Sequence, residues 1–178
     1  MSEKIDRGAI IFRWWSEHFA DRASGRARAL AARLRRAEGV EVLAEPEVHM
    51  LAAVLHLQQR DAARLVLLAQ ALAEVRENSA QSLAQRLGGR EKDDRAMSPL
   101  RFQRLLRSRE DEFATQVRRA LAMVDRKCNV AALGWDLLRW DHPEWGDNVR
   151  VRWSFDYFGA SSARSENNTE TQDLEIST

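Results

Sequence analysis

The chain has a single cysteine, Cys128. One thiol closes no intramolecular disulfide and builds no cysteine-based zinc site. Prolines are equally scarce, three in 178 residues, so little in the sequence breaks helices. No apolar run approaches the roughly 20 residues of a membrane span. The opening segment, MSEKIDRGAIIFRWW, carries acids early and has no small-residue cleavage site after its short apolar stretch. It does not read as a signal peptide, and a cytoplasmic protein is the expectation.

Enzyme signatures are missing as well. There is no P-loop, dinucleotide fingerprint, HExxH or GxSxG pattern. His49 and His56 would share a helix face but stand about 10 Å apart along the axis, too far for a shared metal without further ligands. Cys128 follows Arg126 and Lys127, a setting that lowers a thiol pKa, yet a cysteine at a helix junction is ordinarily inert. Asp93 and Asp94 fall in a linker, where an acid/base pair is hard to hold rigid. No catalysis, metal or cofactor is expected.

What is present is helix. Ala, Leu, Arg, Glu and Gln dominate, and apolar residues recur at spacings of three and four. Helices are predicted over about 6–20, 24–37 (closed by Gly39), from Pro46 onward, over 61–76 as the central helix, and over a short stretch ending at Leu87. GGREKDDRAM, 88–97, has glycines, mixed charge and little to bury, and reads as a domain boundary. The expected architecture is all-α: a bundle over 1–88, a charged linker over 89–97, and a second bundle over 98–159. Beyond the linker, Ser98-Pro99 starts one helix, Ser108 is read as the N-cap of the next, and Asn129 as the cap of a third. VRVRWSFDY, 149–157, alternates as a strand would, but no partner strand is evident to take its hydrogen bonds. Helix is the reading taken, with Val149, Trp153 and Tyr157 on one face and Val151, Phe155 and Phe158 on another. From about Ala160 a Ser/Thr/Asn-rich acidic tail is expected to be disordered.

Net charge is only +1, but the positive charge is segregated. Arginines 22, 26, 28, 33, 35 and 36 fall in one run without an acid, and 95, 101, 104, 107 and 109 in another. At about 100° per residue, Arg101, Arg104 and Arg107 lie opposite Phe102, Leu105 and Leu106. Arg22, Arg26, Arg33 and Arg36 flank the Leu30/Leu34 stripe if that helix extends back to Arg22, and Arg118 and Arg119 point away from Phe113, Val117 and Leu121. Basic helix faces often merely solvate, but a helix built for stability would carry Glu four residues before Arg, and neither run does. Unpaired like charges favour an anionic ligand. Without aromatics on the same faces, the pattern suits phosphate contact without sequence reading. Of the six tryptophans, most read as packing, and Trp145 in the His-Pro-Glu-Trp-Gly loop as a possible exposed contact.

The order of these segments resembles a known family. An early WW helix, GRARALAARLRRA, LGG, SPLRFQRLLRS, VRRALAMVD, NVAALGWDLLRW and a final WSFDYF are arranged as in the CasB family, the small subunit of the type I-E CRISPR surveillance complex Cascade. The resemblance covers roughly residues 7–159 and rests on order and spacing, not on one motif. It implies an all-α, non-enzymatic protein, two copies per complex, in contact with other Cascade subunits, CRISPR RNA and target DNA. It further implies backbone contacts that stabilise the R-loop and displaced strand during antiviral defence. Arg26, Arg33, Arg36, Arg101, Arg104, Arg107, Arg118 and Arg119 fall in the matching basic segments. A protein scaffold whose basic faces meet acidic partner subunits is the alternative. The acidic tail departs from the family pattern.

Overall fold

A computed structural model describes residues 6–89 and 92–159. The chain is all-α, with ten α-helices among the described residues and one minimal parallel pairing of two-residue strands. α1 (Arg7–Trp15) is capped by Asp6, whose carboxylate accepts from the Ala9 amide, and runs on into a π-helical turn, Ser16–Ala20. α2 (Gly25–Arg36) is capped by Ser24. α3 (Gly39–Leu43) follows at once, so Gly39, expected to close α2, instead opens a short helix secured by reciprocal bonds between Glu38 and Glu41. Pro46 occupies the first turn of α4 (Pro46–Val54), where its missing N–H costs nothing. α5 (Ala62–Glu74) is buried along most of its circumference and, as its composition predicts, sits centrally against α2, α3, α8 and α9.

β1 (Glu77–Asn78) and α6 (Leu83–Gly88) follow, and a 3-10 turn at Lys92–Asp94 occupies the expected linker. Five of the eight candidate arginines lie on α7 (Pro99–Arg107) and α8 (Glu110–Met123), the other three on α2. Ser108 does not cap α8: its hydroxyl donates to the Leu105 carbonyl and finishes α7. Arg109 takes the cap position, with Glu110, Asp111 and Glu112 supplying the expected acidic first turn. Asp125 and Arg126, both at positive φ, turn the chain tightly into β2 (Lys127–Cys128), which pairs with β1. That pairing is too short to show as alternation in the sequence. Asn129 caps α9 (Val130–Arg139) as predicted, its side chain accepting from Ala132.

Residues 149–157 fall within α10 (Gly146–Tyr157), so the helix reading holds. The strand-like alternation also satisfies a four-residue repeat: Val149, Trp153 and Tyr157 are buried, and the out-of-phase Val151, Phe155 and Phe158 are more than half exposed.

One hydrophobic cluster contains residues from both sides of 89–97. α1 packs along α9 at Gly134, where a Cβ would stand 2.5 Å from Ile11 Cγ2. Phe113 stacks on Trp140 at 4.1 Å, and Trp140 meets Trp153 edge-on at 5.0 Å. α10 closes on α6 at Gly88 and on α7 through Tyr157, which stacks on Phe102 at 3.9 Å and donates its hydroxyl to the Met97 carbonyl at 2.5 Å.

Two acids are buried here and both hold cations. Asp136 accepts from Trp153 Nε1 at 2.7 Å and pairs with Arg139 and Arg152. Glu74, at the end of α5, pairs with Arg126, and Arg118 Nε lies 3.8 Å away. Paired burial of this kind is tolerated because each carboxylate faces two guanidinium groups that offset its desolvation.

A Cβ at Gly88 would lie 1.9 Å from the Tyr157 carbonyl oxygen, a clash with backbone that cannot be relieved by a rotamer change. Gly88→Ala is therefore expected to cost at least about 1–3 kcal/mol in urea unfolding. Glu74→Ala is expected to cost about 1–3 kcal/mol. That is less than the ~3–5 kcal/mol of a fully buried pair, because Arg118 and Arg126 keep access to water.

Candidate nucleic-acid interface

α7 is short, and its two faces differ sharply. Phe102 and Leu105 are buried, while Arg101, Arg104 and Arg107 are all exposed. A spacing of three confines these arginines to an arc of about 120°, each step rising about 4.5 Å. None of the three has an ion-pair or hydrogen-bond partner among the described residues. The helix itself is held firmly: Pro99 sets its first turn, Phe102 is clamped by Tyr157, and Trp140 Nε1 donates to the Ser108 carbonyl at its end. The result is a rigid row of guanidinium groups facing water.

The other predicted arginines are placed differently. Arg33 makes a two-pronged contact with Glu45, Nε at 2.6 Å and Nη2 at 2.9 Å, and Arg26 reaches Glu47 at 3.4 Å. The acids absent from the α2 run are thus supplied by α4 and the residue before it, which no pattern within α2 reveals. Their attraction holds Glu45 below the usual carboxylate range and raises Arg33, with the shared hydrogen bond as the chief cause of both. Arg36 donates back to the Ala32 carbonyl of its own helix. Together with Arg118, Arg36 lines a broad cleft of about 830 Å³ whose rim also carries Glu110, Asp111 and Asp141. Arg119 is exposed on α8 with no partner among the described residues. The structure therefore brings Arg101, Arg104 and Arg107 together as a free ridge, pairs Arg26 and Arg33, and mixes Arg36 and Arg118 with acids.

Sequence reading missed a second cationic cluster. α2 does not reach back to Arg22, which precedes the Ser24 cap and donates instead to the Val75 carbonyl. Burial lowers its pKa, and the nearby charges of Arg35, Arg76 and Arg126 add to that, opposed by Glu74. These residues come from separate segments, so helical periodicity carried no sign of the cluster.

Burial pushes the Cys128 thiol up to about 12, against a weak opposing pull from Arg86, so it stays protonated and inert near neutral pH. Among the described residues no group of three or more His, Cys, Asp or Glu side chains is placed to hold a metal ion. No helix of the described residues is long and apolar enough to cross a membrane.

Comparison with known proteins agrees with this architecture. The family model for CRISPR-associated protein Cse2 matches residues 30–158. A curated CRISPR-associated protein Cse2 from Thermus thermophilus is 38% identical over 72 residues, a match spanning 40% of this chain and 41% of that relative's length. Two solved structures share the fold over 85% of this chain and 97% of their own. The crystal structure of CasB from Thermus thermophilus is 28% identical with a TM-score of 0.66. That of a CRISPR-associated protein of the Cse2 family, also from Thermus thermophilus, is 26% identical with a TM-score of 0.64. With the family match extending from α2 to the end of α10 and the whole helical arrangement shared, the chain belongs to the Cse2 family of CRISPR-associated proteins, the family to which the name CasB also applies.

Proposed function

We propose that the protein is a non-catalytic small subunit of a CRISPR RNA-guided antiviral complex in the cytoplasm. In this reading two copies per complex bind nucleic-acid backbone without sequence preference and stabilise the R-loop and the displaced strand. The observation that carries it is the α7 ridge: Arg101, Arg104 and Arg107, exposed on a rigid helix and unpaired among the described residues. Guanidinium groups bind phosphate oxygens through paired N–H donors, and such contacts carry no base information. Exchanging a DNA duplex for an RNA–DNA hybrid is nearly balanced in energy, so a few backbone contacts tip it. Sequence discrimination then belongs to guide pairing. Arg119 extends the free charge onto α8, whereas Arg26, Arg33, Arg36 and Arg118 contribute less because carboxylates or a carbonyl already occupy or crowd them.

A second reading makes the basic faces contacts for acidic surfaces of neighbouring subunits. It is supported by the two arginines of α2 that already grip carboxylates, and by the exposed apolar side of α10, with Val151 at 56% and Phe155 at 54%. The two readings assign different surfaces and are separable.

Neutralising Arg101, Arg104 and Arg107 to Ala is expected to weaken binding of a labelled single strand by the purified protein and of target DNA by the assembled complex. The slope of log K against log salt should fall by about 2, given roughly 0.7–0.9 per lost phosphate contact. An unchanged slope would remove α7 from the interface. Val151→Ser with Phe155→Ser is expected to leave oligonucleotide binding as it was and to reduce co-purification with the other subunits. Full retention of assembly would remove the α10 face from the protein contacts.

A further inference from the structure

A separate cleft of about 340 Å³ lies away from α7, and four chain segments build it. Arg7 comes from the start of α1, His56 from the end of α4, Arg60 and Arg64 from the entry to α5, and Arg139 and Trp145 from α9 and the loop after it. Its volume falls within the roughly 300–1,000 Å³ of small-molecule sites.

Its charge is one-sided. Four arginines line it against one carboxylate, Asp61, which is already committed: Asp61 accepts from the Gln58 amide at 3.0 Å and lies 3.5 Å from Arg64. Arg60 is exposed and has no partner among the described residues. Among the described residues Arg7 meets the ring of Trp135, at 5.4 Å, and has no acid partner.

The cleft is also aromatic. Trp145 is 44% exposed, while Trp14, Trp15, Trp140 and Trp153 are all buried. His142, another residue of the cleft wall, stacks on one face of Trp145 at 4.3 Å and 15°. His142 Nδ1 accepts the Glu144 amide at 3.2 Å, which leaves Nε2 to carry the proton of the neutral ring.

The rim shows a costly choice of residue. α4 ends with the Leu57 amide donating to the Ala52 carbonyl at 2.9 Å and the His56 amide to Ala53 at 3.2 Å. In this cap the left-handed position is usually Gly. Here it is His56, at φ 54°, a conformation that a side chain disfavours. The His56 side chain is exposed at this position and forms part of the cleft wall.

An anion alone needs no exposed indole, and an aromatic ring alone needs no unpaired arginines. Together they match a phosphorylated heteroaromatic. We propose that this cleft binds one nucleotide, its base laid on the open face of Trp145 and its phosphate met by Arg60, Arg64 and Arg7. This goes beyond the backbone contacts assigned to α7 and rests on none of them. The nucleotide is either free or a single unstacked residue of a strand.

Calorimetric titration of the full chain with AMP, ribose 5-phosphate and inorganic phosphate tests the proposal. AMP is expected to bind at least about five-fold tighter than ribose 5-phosphate, the smallest effect usual for one base–aromatic stack. Trp145→Ala should erase that difference. His56→Gly should weaken AMP binding while leaving Tm unchanged or higher, since glycine relieves the left-handed backbone. Equal affinity for AMP and ribose 5-phosphate, or AMP binding unaltered by Trp145→Ala, overturns the proposal. So does the absence of AMP binding, even where α7 still holds oligonucleotides. Arg101→Glu with Arg104→Glu should bind AMP as the parent does, which separates failure of the ridge from failure of the cleft. A 2-aminopurine-labelled oligothymidylate resolves the source. A fluorescence change lost in Trp145→Ala assigns the site to a strand, and no change alongside AMP binding assigns it to a free nucleotide.

Discussion

The seating of Tyr157 determines where the basic ridge points. Its ring lies flat against Phe102, the buried anchor of α7, and its hydroxyl binds the Met97 carbonyl just before that helix begins. Burial raises the phenol's pKa, so the hydroxyl remains a donor across the physiological range. Tyr157 reaches this position only because Gly88 lets the end of α10 come into backbone contact with α6. A three-helix junction is thus locked by one aromatic stack, one hydrogen bond and one missing Cβ. Leu105 is buried as well and Trp140 Nε1 ties the Ser108 carbonyl at the end of α7, while Arg101, Arg104 and Arg107 are left solvated. A charged ridge on a loosely held helix would lose ordering entropy at every contact, whereas this one is ordered before any ligand arrives.

The same economy governs the other arginines. The chain places carboxylates where cations are structural: Asp136 beneath Arg139 and Arg152, Glu74 beside Arg118 and Arg126, Glu45 and Glu47 against α2. The buried ones among these acids cannot be exchanged for a ligand without stranding charge away from water. Arginines that face no acid are therefore the informative ones, and they include Arg101, Arg104 and Arg107 on α7 and Arg7 and Arg60 in the Trp145 cleft. A composition with nearly balanced charge hides this, because the acids are concentrated where they brace the fold.

How much of this was legible beforehand depends on the range of each interaction. Helix positions, the centrality of α5, the cap at Asn129 and the amphipathicity of α7 all follow from contacts a few residues apart. They were readable because 3.6-residue periodicity encodes them. Gly39, Ser108 and Arg22 were misplaced because each is governed by a choice between two local options that tertiary packing decides. The α2 arginines seemed unpaired because their partners lie 12 and 21 residues further on, across an interhelical contact. The cleft is the extreme case: its walls come from residues 7, 56–64 and 135–145, and sequence reading singled out His56 and Trp145 separately without bringing them together.

In the roles proposed for them, ridge and cleft place different demands on a strand, and that difference bears on how binding without sequence preference would still tell one strand state from another. The ridge offers guanidinium groups at regular rise and no aromatic, so it senses charge alone and weakens steeply with salt. The cleft joins charge to a stacking surface, and stacking is largely indifferent to salt and to base identity because every base has a π-face. Neither element selects a sequence. Ridge contacts favour any backbone, whereas a nucleotide within the cleft must first leave its stack, which a paired duplex resists and an unwound strand does not. Discrimination between paired and unpaired nucleic acid would then arise from the shape of the Trp145 cleft. The arginine ridge would supply affinity without that preference.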